Sequence, residues 1–371
     1  MNSKNYIISL LALTTEMPFS QLNTYLKTCI DEQKFPGCVC LIGDLKDILF
    51  FQCYGHAQIT PTKLHMTKCT MFDLASLTKP IATALAIMLL YDAKKLTLND
   101  RVEKFLKDFK NRPNGKKTIR ELLTHTSGIH AWFPTYLLSN EERIEFFTKT
   151  NTGSNEVIYS CLGYIILGAI IESIVGYRLD RYCDEYIFRK IGSEKTCFGP
   201  LESVEKSAAT EVGNEHEKEM ARKYGDISHI QWRDYLIKGQ VHDGNSFYSH
   251  SGIAGNAGLF SHAADLLKII RAYISGKIVN AETVKMMIND HTGGEQQRGL
   301  GWLVNPYPGL LSVRAYGHTG FTGTMLIVDP EKPIIIILLT NAVHPKVKLG
   351  VMPEVRRKVI EIINKILSTK F

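Results

Sequence analysis

The tetrad Ser76-Leu77-Thr78-Lys79 carries the strongest chemical signal in this 371-residue chain. A serine hydroxyl is a weak nucleophile at neutral pH and needs a base beside it. Residues three apart on a helix share one face, so the Lys79 amine can reach the Ser76 hydroxyl. Unpaired N–H groups at a helix start favour negative charge, and the helix dipole there is expected to lower the pKa of Lys79. The tetrad therefore predicts a serine nucleophile with an amine as its base.

The next residue, Pro80, indicates where the helix begins. Proline lacks an N–H, and its ring clashes with the carbonyl four residues earlier, which here belongs to Ser76. We therefore expect a helix over about 76–95 that begins close to Ser76, with the apolar run 81–90 buried. A second S-x-x-K match at Ser203–Lys206 lies in a charged stretch without an apolar run behind it, and we interpret it as a chance occurrence.

Tyr159-Ser160-Cys161 forms a second candidate element, at the start of an apolar helix predicted over 160–175 and ended by Gly176. A phenol held near an ammonium group can lose its proton and act as a base. Taken alone, Tyr159 is better explained as a residue that caps a core helix.

The glycine-rich stretch 317–323 (GHTGFTG) is a third element, entering a predicted strand that ends at Asp329. Glycines let a strand edge approach a substrate closely, and such an edge can bind an extended substrate and supply an oxyanion donor. His318 can donate to a carboxylate or help to move a proton. The alternative is a tight turn with an exposed histidine.

In this order, the three elements resemble the class C β-lactamases and D-Ala-D-Ala carboxypeptidases of the serine β-lactamase and penicillin-binding-protein superfamily. The stretches 72–79 (FDLASLTK) and 122–128 (LLTHTSG) are similar to the same family, and the resemblance runs from about residue 18 to about residue 365. It implies an acyl-enzyme on Ser76, with Lys79 and Tyr159 sharing the proton transfers.

The resemblance also assigns the binding groups. It implies an oxyanion hole made of the Ser76 and Phe321 amides, and a substrate edge lined by His318, Thr319 and Gly320. His125, in the stretch 122–128, is expected to be a buried structural histidine rather than a catalyst.

Two residues depart from the family pattern. His318 stands where the third motif often has lysine, a variant that carboxypeptidase-like members also use, and Cys161 stands where the second motif usually has asparagine. A thiol is a poor hydrogen-bonding substitute for a carboxamide. A substrate amide that the family's asparagine would bind therefore loses a hydrogen-bond partner at Cys161. This weakens the prediction of efficient β-lactam hydrolysis more than it weakens the prediction of a serine hydrolase.

Two further stretches, 239–245 (GQVHDGN) and 251–260 (SGIAGNAGLF), resemble the β-lactamase-fold amidases that cut N-acetylmuramyl-L-alanine bonds. The resemblance makes His242 and Asp243 candidate substrate contacts at the cleft. A glycine-rich loop with an Asp-Gly turn explains the same residues.

Composition excludes several classes of function. The net charge of +7 is scattered without a basic run, so no nucleic-acid partner is implied. We expect no metal and no cofactor, because zinc-site spacings, an HExxH pair, a Walker A loop and a GxGxxG fingerprint are absent. No apolar run reaches the ~18 residues that a membrane span needs.

The eight cysteines are unpatterned, which favours a reducing, cytoplasmic location. The alternative is an exported, periplasmic protein, because Tyr6–Leu13 resembles a short signal-peptide core within an N-terminal segment 1–17.

Short apolar runs lie near both termini and helical patterns lie between them. We predict an α+β fold with one antiparallel sheet built from both termini, flanked by helices, and a mostly helical inserted subdomain. The expected single domain spans 18–368, with the sheet region at about 18–75 and 250–368 and the helical region at about 76–249. A cleft is expected between the two parts.

The sequence therefore predicts a serine hydrolase acting on an amide or ester, with a peptidoglycan-derived or D-amino-acid substrate. Two alternatives are a penicillin or muropeptide sensor without turnover and a carboxylesterase of the same fold. A cysteine hydrolase built on Cys161 is less favoured, because Ser76 has the better-formed base. The oligomeric state does not follow from the sequence.

Overall fold

A seven-stranded antiparallel sheet organises the part of the chain that the computed structural model describes, residues 17–154 and 156–368. The signal-like stretch Tyr6–Leu13 lies outside the described residues. The sheet order is β3-β2-β1-β12-β11-β10-β9. Its strands are β1 (Gly37–Gly43), β2 (Ile48–Gln58), β3 (Leu64–His65), β9 (Leu303–Val304), β10 (Tyr316–Thr319), β11 (Met325–Asp329) and β12 (Ile334–Thr340).

The sheet joins the two ends of the chain, as predicted. β1 pairs with β12, with Cys38 opposite Thr340 and Gly43 opposite Ile335. The predicted hairpin around Asp329-Pro330 is present as β11 and β12. These pairings confirm the α+β fold with an antiparallel sheet.

Both faces of the central strands are buried. On β1, Cys38 and Cys40 face a core beneath two helices from the termini, whereas Val39 and Leu41 face a second core on the opposite side. Strands covered on both faces read as continuous apolar runs, which is why 334–340 (IIIILLT) is apolar at six of seven positions. All eight cysteines are free thiols.

The helices flank this sheet and fill the middle of the chain. The first and last helices, α1 and α10, cover one face of the sheet, and α8 packs against β1 and β12 on the other. The helices are α1 (Ser20–Asp31), α2 (Leu85–Asp92), α3 (Ile119–Leu123), α4 (Asn140–Lys149), α5 (Cys161–Val175), α6 (Leu179–Cys183), α7 (Glu215–Ala221), α8 (Ala263–Ile274), α9 (Ala281–Ile288) and α10 (Val351–Ser368).

Short strands within the middle region were not predicted. β4 (Phe72–Asp73), β8 (Leu259–Ser261) and β5 (Cys197–Phe198) form a small sheet in that order, and β6 (Ala209–Val212) pairs with β7 (Leu236–Lys238). Segments of two to four residues are too short to show an alternating pattern. The domain boundaries, including one domain over 18–368 with its helical part at 76–249, stay predictions.

The helix after the tetrad is less regular than expected. A 3₁₀ turn over Ala75–Leu77 leads into a π-helical segment over Lys79–Ala84, and only Leu85–Asp92 is a regular α-helix. The helix expected to begin close to Ser76 is present, because the helical segments follow one another without a break from Ala75 to Asp92, but it ends at Asp92 rather than at about residue 95 and its first part is not a regular α-helix. Pro80 accounts for the difference, because a residue without an N–H cannot support the regular ladder where it would begin.

Within the described ranges, no single helix is long and apolar enough to cross a membrane. One pair of helical segments in the described chain, Cys161–Val175 and Leu179–Ile191, passes the length and composition test for a membrane span when taken together, but the two segments are bent by 76° relative to each other.

A close backbone contact joins α5 to the loop before β8. A methyl group on Gly255 would collide with the backbone carbonyl oxygen of Tyr164 and would lie 3.0 Å from the Gly168 nitrogen. This contact fixes how closely the loop approaches α5. The neighbouring residue, Asn256, contributes to the site described below.

We expect Gly255→Ala to lower the free energy of unfolding by about 1–3 kcal/mol, because the added methyl must push α5 away from the loop. Gly225→Ala is the matched control, since a methyl there meets no atom within 4 Å. Urea denaturation of both variants measures the difference. Equal midpoints for Gly255→Ala and the unmodified protein would contradict the contact.

Candidate active site

The nucleophile candidate lies immediately after β4, on a strained turn. Ala75 has a φ of 47°, a left-handed conformation that a non-glycine residue rarely adopts. The Asp73 carboxylate holds this turn, because one of its oxygens accepts a hydrogen bond of 2.8 Å from the Ala75 amide. The turn places Ser76 at the start of the 3₁₀ segment, at the wall of a cleft.

The structure brings Lys79 to Ser76. In a 3₁₀ turn, residues three apart lie directly above one another, and the Lys79 Nζ lies 2.9 Å from the Ser76 Oγ. Two other groups complete its surroundings: the Cys161 Sγ at 3.5 Å and the Asn256 carbonyl oxygen at 3.1 Å. The Lys79 side chain is fully buried, and each ammonium hydrogen has an acceptor within the described residues.

The expected low pKa of Lys79 was wrong. Burial favours the neutral amine, but the negative charges that Cys161 and Tyr159 carry when ionised favour the ammonium, and the pKa of Lys79 is raised. The helix dipole invoked from the sequence is weak here, since the segment after Lys79 is not a regular α-helix. The three acceptors around its Nζ fit an ammonium in the resting site.

Tyr159 lies over the same ammonium. The Lys79 Nζ is 5.0 Å from the centre of the Tyr159 ring. Burial raises the pKa of Tyr159, and this outweighs the Lys79 charge and the Lys79 and Ser76 hydrogen bonds, which lower it. The resting phenol is therefore neutral.

His125 supports the segment that carries Tyr159. Its Nδ1 accepts a hydrogen bond of 2.9 Å from the Ser160 amide, and its carbonyl accepts one of 2.8 Å from the Ile158 amide. Burial lowers the pKa of His125 well below its ordinary value, so the ring is neutral. The ring centres of His125 and Tyr159 are 4.6 Å apart. His125 thus positions the phenol from behind.

The third motif docks directly onto the first. The Thr322 Oγ1 donates a hydrogen bond of 2.7 Å to the Asp73 carbonyl, and the Thr324 Oγ1 donates one of 3.0 Å to the Leu74 carbonyl. Within the described residues, neither the Ser76 amide nor the Phe321 amide donates to an intramolecular acceptor. These are the two amides expected to form an oxyanion hole, and both are free to bind an oxyanion.

His318 offers an acceptor rather than the donor expected from the sequence. Its Nδ1 lies 2.8 Å from the Thr319 carbonyl and must carry the proton, which leaves the buried Nε2 without a partner in the described chain. Burial, with the Lys79 and Arg298 charges, lowers the pKa of His318 to about 3. A neutral ring in this tautomer can accept a proton or a hydrogen bond but does not bring a positive charge to the strand edge.

The opposite wall of the cleft carries His242 and Asp243. The His242 Nε2 lies 3.0 Å from a Glu211 carboxylate oxygen, and both side chains are buried. The other Asp73 oxygen accepts a hydrogen bond of 2.6 Å from the His242 amide, so the wall is tied to the Ser76 turn. The Phe321 ring lies 5.7 Å from the His242 ring.

Glu217 is a buried residue of the same cleft lining. Its carboxyl accepts a hydrogen bond of 2.8 Å from the Tyr136 hydroxyl. Burial and the nearby Asp243 charge raise the pKa of Glu217 to about 8. It therefore holds a proton at neutral pH.

The cleft has a volume of about 570 Å³. Every predicted site residue except the buried Lys79 lines it: Ser76, Tyr159, Cys161, His242, Asp243, His318, Thr319, Gly320 and Phe321. Within the described chain, no group of three His, Cys, Asp or Glu side chains is arranged to hold a metal ion.

Sequence reasoning missed several residues of the site. Asp73 lies inside the stretch 72–79 but was not singled out, although a carboxylate two residues before a strained turn was a usable signal. Glu211, Glu217 and Arg298 were not singled out either, and no local pattern marks them as buried.

A family model described as Beta-lactamase matches residues 22–360 of the chain. The chain belongs to the β-lactamase family. One relative is a putative D-alanyl-D-alanine carboxypeptidase from Escherichia coli (strain K12), 33% identical, with 88% of this chain and 83% of that protein covered. Another is an N-acetylmuramyl-L-alanine amidase from Bacillus subtilis (strain 168), 32% identical, with 84% and 78% covered.

A solved class C β-lactamase has the same fold, with a TM-score of 0.71 and 17% identity over 94% of this chain and 96% of that one. The expected superfamily is thus confirmed, and this β-lactamase-family protein is a hydrolase.

The pKa directions at Lys79 and Tyr159 predict the pH dependence of acylation. Both groups hold their protons at neutral pH because both pKa values are raised, so the form with a free base is a minor species. The rate constant kcat/KM for a neutral ester should therefore rise by about tenfold per pH unit on the alkaline side of neutrality.

Because burial lowers the pKa of His318 to about 3, this residue should contribute no inflection near pH 6.5. If the profile shows an inflection near pH 8, its loss in Glu217→Gln assigns that inflection to the Glu217 carboxyl. A profile that is already flat at pH 7 would contradict the raised pKa values of Lys79 and Tyr159.

Proposed function

We propose that the protein is a serine hydrolase that opens an amide or ester bond through an acyl-enzyme on Ser76. The observation that carries this proposal is the 2.9 Å separation of the Lys79 Nζ and the Ser76 Oγ at the wall of the cleft. The backbone amides of Ser76 and Phe321, two residues that line this cleft, are free to bind an oxyanion. The family of the chain and the names of its relatives support hydrolysis.

The first half-reaction forms the acyl-enzyme. It begins from the minor form in which the Lys79–Tyr159 pair has lost one proton. The Ser76 oxygen attacks the substrate carbonyl carbon, its proton passes to the pair, and the carbonyl oxygen becomes an oxyanion. The bond to the leaving group then breaks as Tyr159 protonates the departing atom. Tyr159 regains its proton from Lys79.

The second half-reaction restores the enzyme. Water attacks the ester carbon on Ser76, and its proton passes to the same Lys79–Tyr159 pair. The Ser76 oxygen leaves and is protonated by that pair as the carboxylic acid departs. The ring centres of His318 and Tyr159 are 5.9 Å apart. His318 Nε2 is a buried acceptor without a partner in the described chain, and it can hold an incoming hydrogen-bond donor beside this path.

A peptidoglycan-derived or D-amino-acid substrate is the class we favour. Relatives named as a carboxypeptidase and an amidase support it. The lining of the cleft combines a polar strand edge at Thr319 with apolar side chains such as Trp132 and Met220, which suits a peptide with a non-polar acyl part. The cytoplasmic location favoured by the cysteines stays a proposal.

Cys161 favours one second candidate, a sensor that is acylated without turnover. The thiol contacts Lys79 at 3.5 Å where the family usually has a carboxamide, so a group that normally orients the substrate amide is missing. Rapid-mixing kinetics with a chromogenic ester separate the two functions. A burst of one equivalent followed by no further release supports the sensor, whereas continued release supports the hydrolase.

We expect intact-mass spectrometry after fluorophosphonate treatment to show one adduct, on Ser76. Ser76→Ala should abolish it. Ser203→Ala is the matched control, because Ser203 belongs to the second S-x-x-K match but is exposed and bonds Glu205 instead of a lysine. An adduct that persists in Ser76→Ala would remove Ser76 from the mechanism.

Tyr159→Phe should slow acylation by a factor of about 10²–10⁴, the usual contribution of a residue that transfers a proton in the transition state. Stopped-flow measurement of the ester burst gives the rate. Tyr224→Phe, on an exposed ring, should leave the rate unchanged. An unaltered burst in Tyr159→Phe would assign the proton transfers to Lys79 alone.

A further inference from the structure

The cleft extends beyond the groups that react. Past Phe321 it is lined by the loop between β12 and α10 and by the start of α10. We call this part the apolar arm, after the five apolar side chains that line it: Val343, Val347, Leu349, Met352 and Pro353. The arm belongs to the same cavity as Ser76, so a molecule bound at Ser76 can reach into it.

The charged residues of the arm are already bonded to the protein. The Lys348 Nζ donates a hydrogen bond of 2.9 Å to the Gln33 carbonyl, and the Arg356 guanidinium donates one of 2.7 Å to the Gly320 carbonyl. Among the lining residues between 342 and 356, none is acidic. The arm therefore offers mainly apolar contact, which suits an uncharged and apolar part of a ligand.

The loop that carries the arm is held in place before any ligand arrives. The two ring nitrogens of His344 lie 2.9 Å from the Ile59 amide and 2.7 Å from the Thr210 carbonyl. The carbonyl of the next residue, Pro345, accepts a hydrogen bond of 2.8 Å from the Val212 amide. A preformed site binds a ligand at a lower entropic cost than a site that must first be ordered.

Two side chains of the cleft lining remain exposed in this fold. Leu349 in the arm is 69% exposed, and Phe321 at its entrance is 45% exposed. Single exposed apolar residues are common on proteins, and Val313 is one, 71% exposed and outside the cleft lining. Leu349 and Phe321 differ from Val313 because they line one concave cavity, where a single apolar chain can cover both and remove their area from water.

The arm is fastened to the loop that carries Phe321. The Ala342 amide donates a hydrogen bond of 3.0 Å to the Thr322 carbonyl. A side chain at Gly323 would collide with the Thr340 hydroxyl and would lie 2.9 Å from the Ala342 methyl group, so the two segments touch there. A substrate carbonyl bound by the Phe321 amide therefore has the arm beside it.

The neighbours of Tyr159 and Phe321 indicate which half of a substrate enters the arm. In the proposed mechanism Tyr159 protonates the leaving group, and its ring lies 5.9 Å from the His318 ring between ring centres. The Phe321 ring lies instead against His242, at 5.7 Å. The leaving group is thus placed at Tyr159, and the acyl group is the half that lies along Phe321.

We infer that the apolar arm binds a flexible apolar chain on the acyl part of the substrate. This inference rests on the proposed serine hydrolase and deepens it by naming the acyl half. The substrate class is then an ester or amide of a medium-chain acyl group, hydrolysed through the same acyl-enzyme on Ser76. Each methylene that moves from water into an apolar site favours binding by about fourfold, so the chain acts by adding binding energy.

The test measures kcat/KM for p-nitrophenyl acetate, butyrate and octanoate, each at concentrations where the ester is monomeric. In the unmodified protein, kcat/KM should rise by about 10- to 100-fold from acetate to octanoate, because part of the longer chain leaves water. Leu349→Asn should lose about 3- to 10-fold on octanoate and far less on acetate, whose methyl group is too short to reach the arm. Leu349→Met, which keeps the apolar volume, should retain the preference.

Val313→Asn is the matched control, because it removes an equally exposed apolar side chain outside the cleft lining, and it should match the unmodified protein. Hydrolysis of all three esters with equal kcat/KM in the unmodified protein would overturn the role of the arm, and this comparison requires no variant to fold. An octanoate preference that survives intact in both Leu349→Asn and Val347→Asn would also overturn it, by placing the chain elsewhere. Absence of both a Ser76 adduct and acetate hydrolysis would instead defeat the proposed serine hydrolase itself.

Discussion

The buried ammonium of Lys79 is the interaction on which the rest of the site depends. A charge removed from water must be surrounded by acceptors, and Lys79 receives them from three separate parts of the chain: Ser76, Cys161 and the carbonyl of Asn256. Three parts of the chain must therefore meet at one point: the helical segment that begins at Ala75, the start of α5 and the loop before β8. The Ser76 hydroxyl is oriented by the same contact that satisfies the charge.

A second set of contacts joins this point to the large sheet. Asp73 holds the Ala75 turn with one carboxylate oxygen and the His242 amide with the other, while its carbonyl accepts from Thr322 in the loop between β10 and β11. One residue thus fixes the Ser76 turn, the loop that carries Phe321 and the His242 wall of the cleft relative to each other. Because Asp73 is fully buried, its bonds are shielded from competing water.

The charges of the cleft differ in position from those of the family pattern. The lysine often found in the third motif is replaced by His318, which is neutral here, and positive charge lies instead on Arg298 across the Tyr159 ring. A guanidinium is planar and recognises a carboxylate in a fixed orientation, whereas an ammonium acts as a point charge. At this place in the cleft, the two groups therefore differ in shape as well as in position.

The sequence by itself determined the family, the sheet and the three motifs. Apolar runs at both termini required a common sheet, and the spacing of Ser76 and Lys79 required one helical face. It did not determine the protonation of Lys79, the tautomer of His318 or the burial of Glu211, Glu217 and Arg298. These depend on groups far apart in the chain, such as Lys79 and Asn256, 177 positions apart, and local patterns carry no information about such distances. Only the tertiary structure decided them, because a pKa or an unpaired charge is a property of everything packed around a group.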